Sequence, residues 1–263
     1  MRKTGFLILM LIFTTALFAQ KFRTINNQAF RRGEKLEYKV YYHSTLTGKV
    51  AAGTGTLEVK AGNRKFKNRN TMHIVGIGRS KGAFNWFFKV DDRFETYIDE
   101  EGMFPWLFIN RTREGRYKKD DDITFHQDHG RAVSRNAITR LPENVQDLIS
   151  GFYYARTLDI TKLATGGGFT VPFFLNDSVY ESQIIYEGKE VITTKLGTFN
   201  CLKFKPMVVK GGVFSDPYPM TIWVTDDRNR VPILFESAVI VGKVKMELIE
   251  YTGLANPFTA KVK

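Results

Sequence analysis

The chain has few of the residues that support covalent or metal-centred chemistry. Cys201 is the single cysteine, and there are four histidines among 263 residues. One cysteine excludes an intramolecular disulfide, so the stability of the fold must come from its hydrophobic core. Hydrophobic residues make up 43% of the chain and aromatic residues 14%, which is enough material for a large core.

Long hydrophobic runs are missing after the first residues. Arg2 and Lys3 precede the apolar run 6–13, and small residues lead to Ala19, which is the layout of a secretory signal peptide. The run is too short for a permanent membrane helix. We therefore predict cleavage after Ala19 and an exported mature protein, periplasmic or extracellular, that does not span a membrane.

The charge balance is strongly basic. Lysine and arginine number 39 against 27 acidic residues, a net charge of +12. Such an excess favours anionic partners, for which an envelope lipid or an anionic glycan are the candidates, whereas export argues against nucleic acid. Because the basic residues are scattered rather than grouped, the plainer interpretation is that they solvate the outer faces of a sheet.

Alternating apolar and polar residues dominate the chain after the lead-in. Within 243–250, Val244, Met246 and Leu248 alternate with charged residues, which is the period of a half-buried strand. Similar runs recur at a spacing of roughly 8–12 residues, typical of sandwiches and barrels. The pattern predicts an all-β fold: a strongly curved antiparallel sheet, or a partly closed barrel, of about a dozen strands.

Two details of this pattern shape the predicted fold. Gly53 and Gly55 interrupt the second strand, which indicates a bend and therefore a concave side to the sheet. Later in the chain, residues 187–189 are predicted to form a turn between strands at 179–187 and 190–195.

One helix interrupts the predicted strands. Pro142 suits a first helical turn, and apolar residues recur at helical spacing through 143–156. We expect this helix to cap one open side of the sheet. The predicted organisation is a signal peptide at 1–19, an extended lead-in at 20–33 and a single β-rich domain at 34–263.

Catalytic motifs are absent from the sequence. Cys201 has no histidine close to it in sequence, and Ser150 falls inside the predicted helix rather than on a nucleophile elbow. The segment 76–78 has the pattern Gly-Ile-Gly but lacks the third glycine of a dinucleotide-binding loop. The sequence therefore predicts a protein that is not an enzyme, has no catalytic residues and needs no cofactor.

Two polar clusters are candidate metal sites. His126 and His129 lie three residues apart beside several aspartates, but on a strand such residues point to opposite faces, so a shared ion requires the turn to fold them together. Asp226, Asp227 and Asn229 lack the spacing of a calcium loop and match a short polar turn. The solvated turn is the preferred interpretation of both, and a hydrolase at the histidines would need a metal and a cleft there.

Aromatic residues supply the candidate binding site. They are grouped in two neighbouring stretches and comprise Phe84, Trp86, Phe87, Trp106 and Phe108. One interpretation is an apolar wall that holds a ligand or touches a membrane. The other is ordinary core, since aromatic side chains dominate core burial.

The chain resembles domain-of-unknown-function family 3108. The residues that carry the resemblance are structural: Gly33-Glu34-Lys35-Leu36-Glu37-Tyr38, Val145-Gln146-Asp147-Leu148-Ile149-Ser150, Leu196-Gly197-Thr198-Phe199, and Trp223-Val224-Thr225-Asp226-Asp227 with Pro232. The resemblance implies an exported bacterial β-rich protein and offers no catalytic residues.

Two functions of different classes follow from these observations. The first is non-enzymatic binding of a hydrophobic or amphipathic, lipid-like ligand in the concave face of the sheet. The second is an envelope structural or interaction protein with a filled core and no ligand. A hollow interior favours the first and a solid one favours the second.

Overall fold

The computed structural model describes residues 22–46, 48–208, 216–239 and 242–262. The predicted signal peptide at 1–19 lies outside these ranges. Within them, fourteen strands pair into one antiparallel sheet. The predicted all-β class is confirmed.

The first half of the sheet is a meander of eight strands. They are β1 (Lys35–Ser44), β2 (Gly48–Phe66), β3 (Arg69–Ser80), β4 (Asp91–Asp99), β5 (Pro105–Glu114), β6 (Tyr117–His126), β7 (Arg131–Val133) and β8 (Ile138–Arg140). A one-turn helix, α1 (Phe84–Phe87), lies in the β3–β4 connection, and the longer helix α2 (Leu148–Ala155) follows β8.

The second half is a meander of six strands. They are β9 (Gly168–Leu175), β10 (Ser178–Thr194), β11 (Gly197–Pro206), β12 (Met220–Thr225), β13 (Pro232–Ala238) and β14 (Lys243–Thr252). The strand order is β8 through β1, then β14 down to β9, so the first and last strands of the chain pair at the centre. The two halves are therefore joined by sequence-distant pairing, with β8 and β9 left at the edges of the sheet.

The sheet curls until these two edges approach each other. The Thr139 hydroxyl on β8 donates to the Asp177 carbonyl after β9, at 3.0 Å. Just before α2, the Gln146 amide donates to the Pro172 carbonyl and its carbonyl accepts from the Phe174 amide, both at 2.8 Å. The chain between β8 and α2 thus bridges to β9, and the predicted partly closed barrel is confirmed.

Helix α2 packs inside this curl, against β3, β4 and β9. Asp147 is its N-cap: the carboxylate accepts from the Ile149 and Ser150 amides at 2.8 Å, and the Ser150 hydroxyl accepts from the Asp147 amide. This capping box satisfies amides that a helix start leaves unpaired. The helix begins later than the predicted residue 143 because Gln146 is engaged in pairing with β9.

The predicted turn at 187–189 is a β-bulge instead. Strand β10 continues through it, with Tyr186 opposite Phe204 and Gly188 opposite Lys203 on β11. Gly188 has φ of 107°, a backbone conformation that favours glycine, so the extra residue is absorbed without ending the strand.

Two buried clusters form most of the core. One contains α2 and the inner side chains of β2–β7, and the other contains β1, β11, β13 and β14 with the C-terminal tail. Leu57 on β2 packs against both clusters. None of the helices in the part of the chain that the structure describes is long and apolar enough to cross a membrane.

Candidate functional site

An apolar cleft opens on the inner face of β1–β4, where the two core clusters meet. Its volume is about 310 Å³, at the lower end of the roughly 300–1,000 Å³ that small-molecule sites occupy. Its walls come from both halves of the sheet and from both helices, and they include Val40, Leu57, Phe84, Phe94, Ile149 and Met246. The cleft therefore offers a ligand mostly carbon surface.

Two glycines make the floor of the cleft. Strand register places Gly55 on β2 opposite Gly78 on β3, and Tyr38 on β1 opposite Gly55. Paired residues on neighbouring strands point to the same face, so two adjacent inner positions carry no side chain. A Cβ at Gly78 would have no other atom within 4 Å. A Cβ at Gly55 would lie 3.3 Å from the Met246 sulfur, so the hollow that a well-packed core would fill lies at Gly78.

Helix α1 forms one side of the cleft mouth. The Phe84 ring faces the cleft, with its centre 5.7 Å from that of Tyr42. The Ser80 hydroxyl holds this segment, since it donates to the Asn85 side-chain oxygen at 2.6 Å and accepts from the Val90 amide at 2.8 Å. The position of Phe84 is thus set by β3 rather than by the short helix alone.

Several polar groups lie close to the cleft and have partners of their own. The buried Tyr38 hydroxyl donates to the Pro232 carbonyl at 3.2 Å, and burial raises the pKa of this phenol, so it stays neutral. Asp92 lies opposite Gly78 and accepts from the Arg113 amide at 2.7 Å. Burial raises the pKa of the Asp92 carboxyl, and burial followed by the interaction with Asp92 raises the pKa of the Glu114 carboxyl.

The predicted aromatic residues are divided among three environments. Phe84 lines the cleft, whereas Trp86 and Phe87, which follow it on α1, are 90% and 87% exposed. Trp106 and Phe108 are buried: the Trp106 indole donates to the Asp99 carboxylate at 3.0 Å, and Phe108 lies in the core cluster around α2.

Sequence reasoning missed the second glycine pair of the cleft. Gly76 and Gly78 on β3 repeat the spacing of Gly53 and Gly55 on β2, and all four line the cleft. Two Gly-x-Gly patterns on consecutive strands were the signal that could have revealed a floor without side chains. The sequence alone could not place Met246 in the cleft, because the position of this residue depends on the pairing of β1 with β14.

His126 precedes a single 3-10 turn at Gln127–His129, and His129 is the last residue of that turn. Their ring centres are 6.4 Å apart, and Asp128 between them is held by the Lys67 ammonium. Burial, with the nearby Arg131 and Lys67 charges, lowers the pKa of His126. Among the described residues no group of three or more histidine, cysteine or acidic side chains is arranged to hold a metal ion.

The other polar candidates have structural partners. The Asp227 carboxylate accepts from the Thr225 hydroxyl at 2.8 Å and the Asn229 amide at 3.0 Å, as in a self-capped turn. The Asn229 side chain donates to the Asn256 carbonyl at 3.1 Å. Cys201 is buried in the core, and burial raises the pKa of its thiol to about 12, so it stays protonated.

A second depression, of about 620 Å³, lies beside β7 and β8. It is lined largely by charged and polar residues, among them His129, Arg131, Arg140 and Glu143. This depression lies at the sheet edge, away from the glycine floor. The apolar cleft is therefore the better candidate site for an apolar ligand.

The comparisons agree with the observed fold. The family described as "Protein of unknown function (DUF3108)" matches residues 37–249. No curated protein matches the chain significantly. A β-barrel-like protein of family DUF1849 from Brucella abortus superposes with a TM-score of 0.53 at 11% identity, covering 88% of this chain and 98% of that one. At this identity the likeness concerns the fold alone.

Two further structures are more distant. A predicted lipoprotein from Parabacteroides distasonis has a TM-score of 0.37 at 12% identity, covering 89% of this chain and 100% of its own. A predicted exported protein with a YmcC-like fold from Bacteroides fragilis has a TM-score of 0.32 at 11% identity, covering 88% and 100%.

Proposed function

Because the chain belongs to the DUF3108 family, whose description gives no function, we propose from the geometry that it binds a hydrophobic or amphipathic, lipid-like ligand in the cleft on β1–β4. The protein acts as a binder rather than an enzyme. The observation that carries the proposal is the open space at Gly78, beside Gly55 and inside a cleft whose walls are apolar.

The composition of the cleft supports an apolar ligand. Protein interiors are packed as densely as organic crystals, so the hollow at Gly78 forgoes favourable contacts. A ligand that enters restores those contacts and removes its own carbon from water, at about 0.8 kcal/mol for each buried methylene.

The dimensions of the cleft favour one chain or ring over a bulky ligand. A volume of about 310 Å³ suits a single apolar chain. The mouth is polar at one side, where Asp92 and Glu114 lie beyond Gly78. An amphipathic molecule would bury its tail along the glycine floor and leave its head at this mouth. The predicted export signal makes an envelope lipid a suitable source.

Filling the floor of the cleft tests this function. In Gly78→Leu the new side chain enters the space where a Cβ meets no atom, so we expect uptake of a fluorescent fatty acid to weaken by about tenfold or more. Gly62→Leu is the matched control: it lies on β2, a Cβ there also meets no atom, and it is outside the cleft. Its uptake should equal that of the unaltered protein.

Each result of this comparison decides between the two functions. Equal uptake by both variants would show that the probe binds elsewhere and would overturn the proposal. Absence of uptake by every protein, together with a more stable Gly78→Leu variant, would favour the alternative of an envelope structural or interaction protein whose cleft is a packing defect. Circular dichroism and thermal unfolding would establish that both variants are folded.

A further inference from the structure

Exposed apolar side chains concentrate at the end of the sheet where the cleft opens. Among the described residues, Leu46 is 91% exposed in the β1–β2 turn, and Trp86 and Phe87 are 90% and 87% exposed on α1. Phe88 and Tyr117 add partly exposed rings from the β3–β4 connection and the start of β6. We call these five residues the rim.

The rim is one continuous surface. The β1–β2, β3–β4 and β5–β6 connections leave the same end of the sheet because the strands are antiparallel. The Gly115 amide donates to the Lys89 carbonyl at 2.8 Å, which joins the β5–β6 and β3–β4 connections, and the Lys81 amide donates to the Ala52 carbonyl on β2 at 2.9 Å. Phe84 touches Tyr42 across the gap. Residues that are far apart in sequence are therefore presented side by side.

The charge around the rim is positive. Its exposed basic residues are Lys49, Lys81, Lys89, Arg116 and Lys118. The nearby acids are engaged: Asp91 pairs with Arg79 at 2.9 Å, Asp92 is buried, and Glu114 interacts with Asp92. Large aromatic side chains surrounded by lysine and arginine match the interface of a bilayer, where rings lie at headgroup level and cations contact anionic lipids.

We propose that the rim docks on the surface of an anionic phospholipid bilayer, with Trp86 and Phe87 at headgroup depth. Apolar patches of this kind on a soluble domain mark interaction sites. Here the two most exposed rings project from a convex one-turn helix, and the cationic border supplies the charge complement of the lipid. The inference goes beyond ligand binding in the cleft and does not depend on it, although docking would bring the cleft mouth to the membrane.

Tryptophan fluorescence offers a direct measurement. Trp106 and Trp223 are 2% and 7% exposed, whereas Trp86 is 90% exposed, so Trp86 reports any change at the rim. We expect vesicles of phosphatidylglycerol and phosphatidylcholine to shift the emission to shorter wavelength and to protect it from acrylamide. Trp86→Phe should keep the binding, measured by co-sedimentation, and lose the spectral shift.

Matched variants separate the two parts of the surface. Trp86→Ser with Phe87→Ser should weaken co-sedimentation by about tenfold or more, whereas Val191→Ser, an exposed residue 61% accessible near the other end of the sheet, should not. Lys89→Glu should weaken binding, while Lys65→Glu, the same charge change near the far end of β2, should have less effect. Added salt should weaken binding by screening.

Three results would overturn the inference. They are equal binding by the rim and control variants, equal binding to vesicles with and without the anionic lipid, and self-association through the rim without vesicle binding. The two proposals can fail separately: if both hold, Gly78→Leu loses fatty-acid uptake but binds vesicles normally, and the Trp86→Ser, Phe87→Ser protein does the reverse. Failure of the cleft proposal alone would appear as unchanged uptake by Gly78→Leu, with the vesicle results as expected.

Discussion

Two glycines on neighbouring strands differ in what their environment permits. A Cβ at Gly53 would lie 2.1 Å from the Arg79 carbonyl oxygen, which is backbone and cannot move aside. A Cβ at Gly78 would meet nothing within 4 Å. Gly53 therefore serves the close approach of β2 to β3, whereas Gly78 leaves space that the fold does not need.

Alanine at each position tests this difference. Gly53→Ala should lower the free energy of unfolding by about 2 kcal/mol or more, because a backbone shift is required. Gly78→Ala should be neutral or raise it by up to about 1 kcal/mol, since alanine restricts the unfolded chain. Urea denaturation of the two variants measures both changes. Similar losses in both would contradict the assignment of Gly78 to open space.

Asp147 makes stability depend on pH. Burial raises the pKa of its carboxyl to about 6, despite the amides and the Thr96 hydroxyl that favour the anion. The ordinary value is 3.8, so between these pH values the folded state holds a proton that the unfolded state has released. The contribution of Asp147 to the free energy of unfolding is therefore largest below pH 4. It falls as the pH rises from about 4 to about 6, by on the order of 3 kcal/mol in total.

The measurement is the free energy of unfolding at several pH values between 4 and 7. Asp147→Asn keeps an N-cap side chain and removes the titration, so its stability should fall less steeply with rising pH. The slope that remains combines opposite effects, because the pKa values of Asp92 and Glu114 are raised whereas those of Glu95, Asp128 and Glu187 are lowered. An unchanged slope in Asp147→Asn would contradict this account.

At the scale of elements, one buried ion pair ties α2 to the strands. Arg156, which follows α2, pairs with Glu34, which precedes β1, at 2.6 and 2.8 Å. It also donates to the Asn229 carbonyl in the β12–β13 turn at 2.9 Å and to the Ala29 carbonyl in the lead-in at 3.3 Å. Three segments that are distant in sequence thus meet at a single guanidinium: residues 29–34, the end of α2 and the β12–β13 turn.

Removing either partner should be costly. Arg156→Ala or Glu34→Ala leaves a buried charge uncompensated, so each should lower the free energy of unfolding by roughly 3–5 kcal/mol. The double variant should lose less than the sum, which a double-mutant cycle in urea measures. Arg79→Ala, which breaks an exposed pair with Asp91, should cost about 1 kcal/mol or less. Equal losses for the buried and exposed pairs would contradict this role.

The strands were predictable where alternation is local. The period of two over 243–250 predicts β14 because one face of that strand is buried. The break predicted at Gly188 was wrong because a glycine that ends a strand and one that forms a bulge look alike in sequence. The start of α2 depends on hydrogen bonds between Gln146 and β9, which are set by tertiary structure.

The candidate site was predictable only in outline. The sequence indicates a concave, aromatic-rich sheet with bends at Gly53 and Gly55, and the cleft contains these glycines and Phe84. It does not separate the exposed Trp86 from the buried Trp106, because the aromatic clusters have the same composition whether they face solvent or core. That distinction comes from the register of β3–β5 and from the way α2 fills part of the curl.

At the scale of the whole molecule, the cleft exists because the sheet encloses more space than its side chains occupy. Helix α2 fills the curl beside β3, β4 and β9, and Ile149 reaches the cleft from this helix. The opposite half packs against the C-terminal tail. The remaining hollow lies between them and opens at the rim. The curved sheet, the glycine floor and the exposed aromatic rings are therefore next to one another in the molecule.

The most direct test of this account is the binding of alkyl maltosides of increasing chain length, below their micelle concentrations, measured by calorimetry. If the tail enters the cleft, each added methylene should tighten the dissociation constant about fourfold, corresponding to about 0.8 kcal/mol, until the cleft is full. Gly78→Leu should bind weakly at every length, and Gly62→Leu should follow the unaltered protein. Absence of binding, or the same dependence on chain length in Gly78→Leu, would contradict the account.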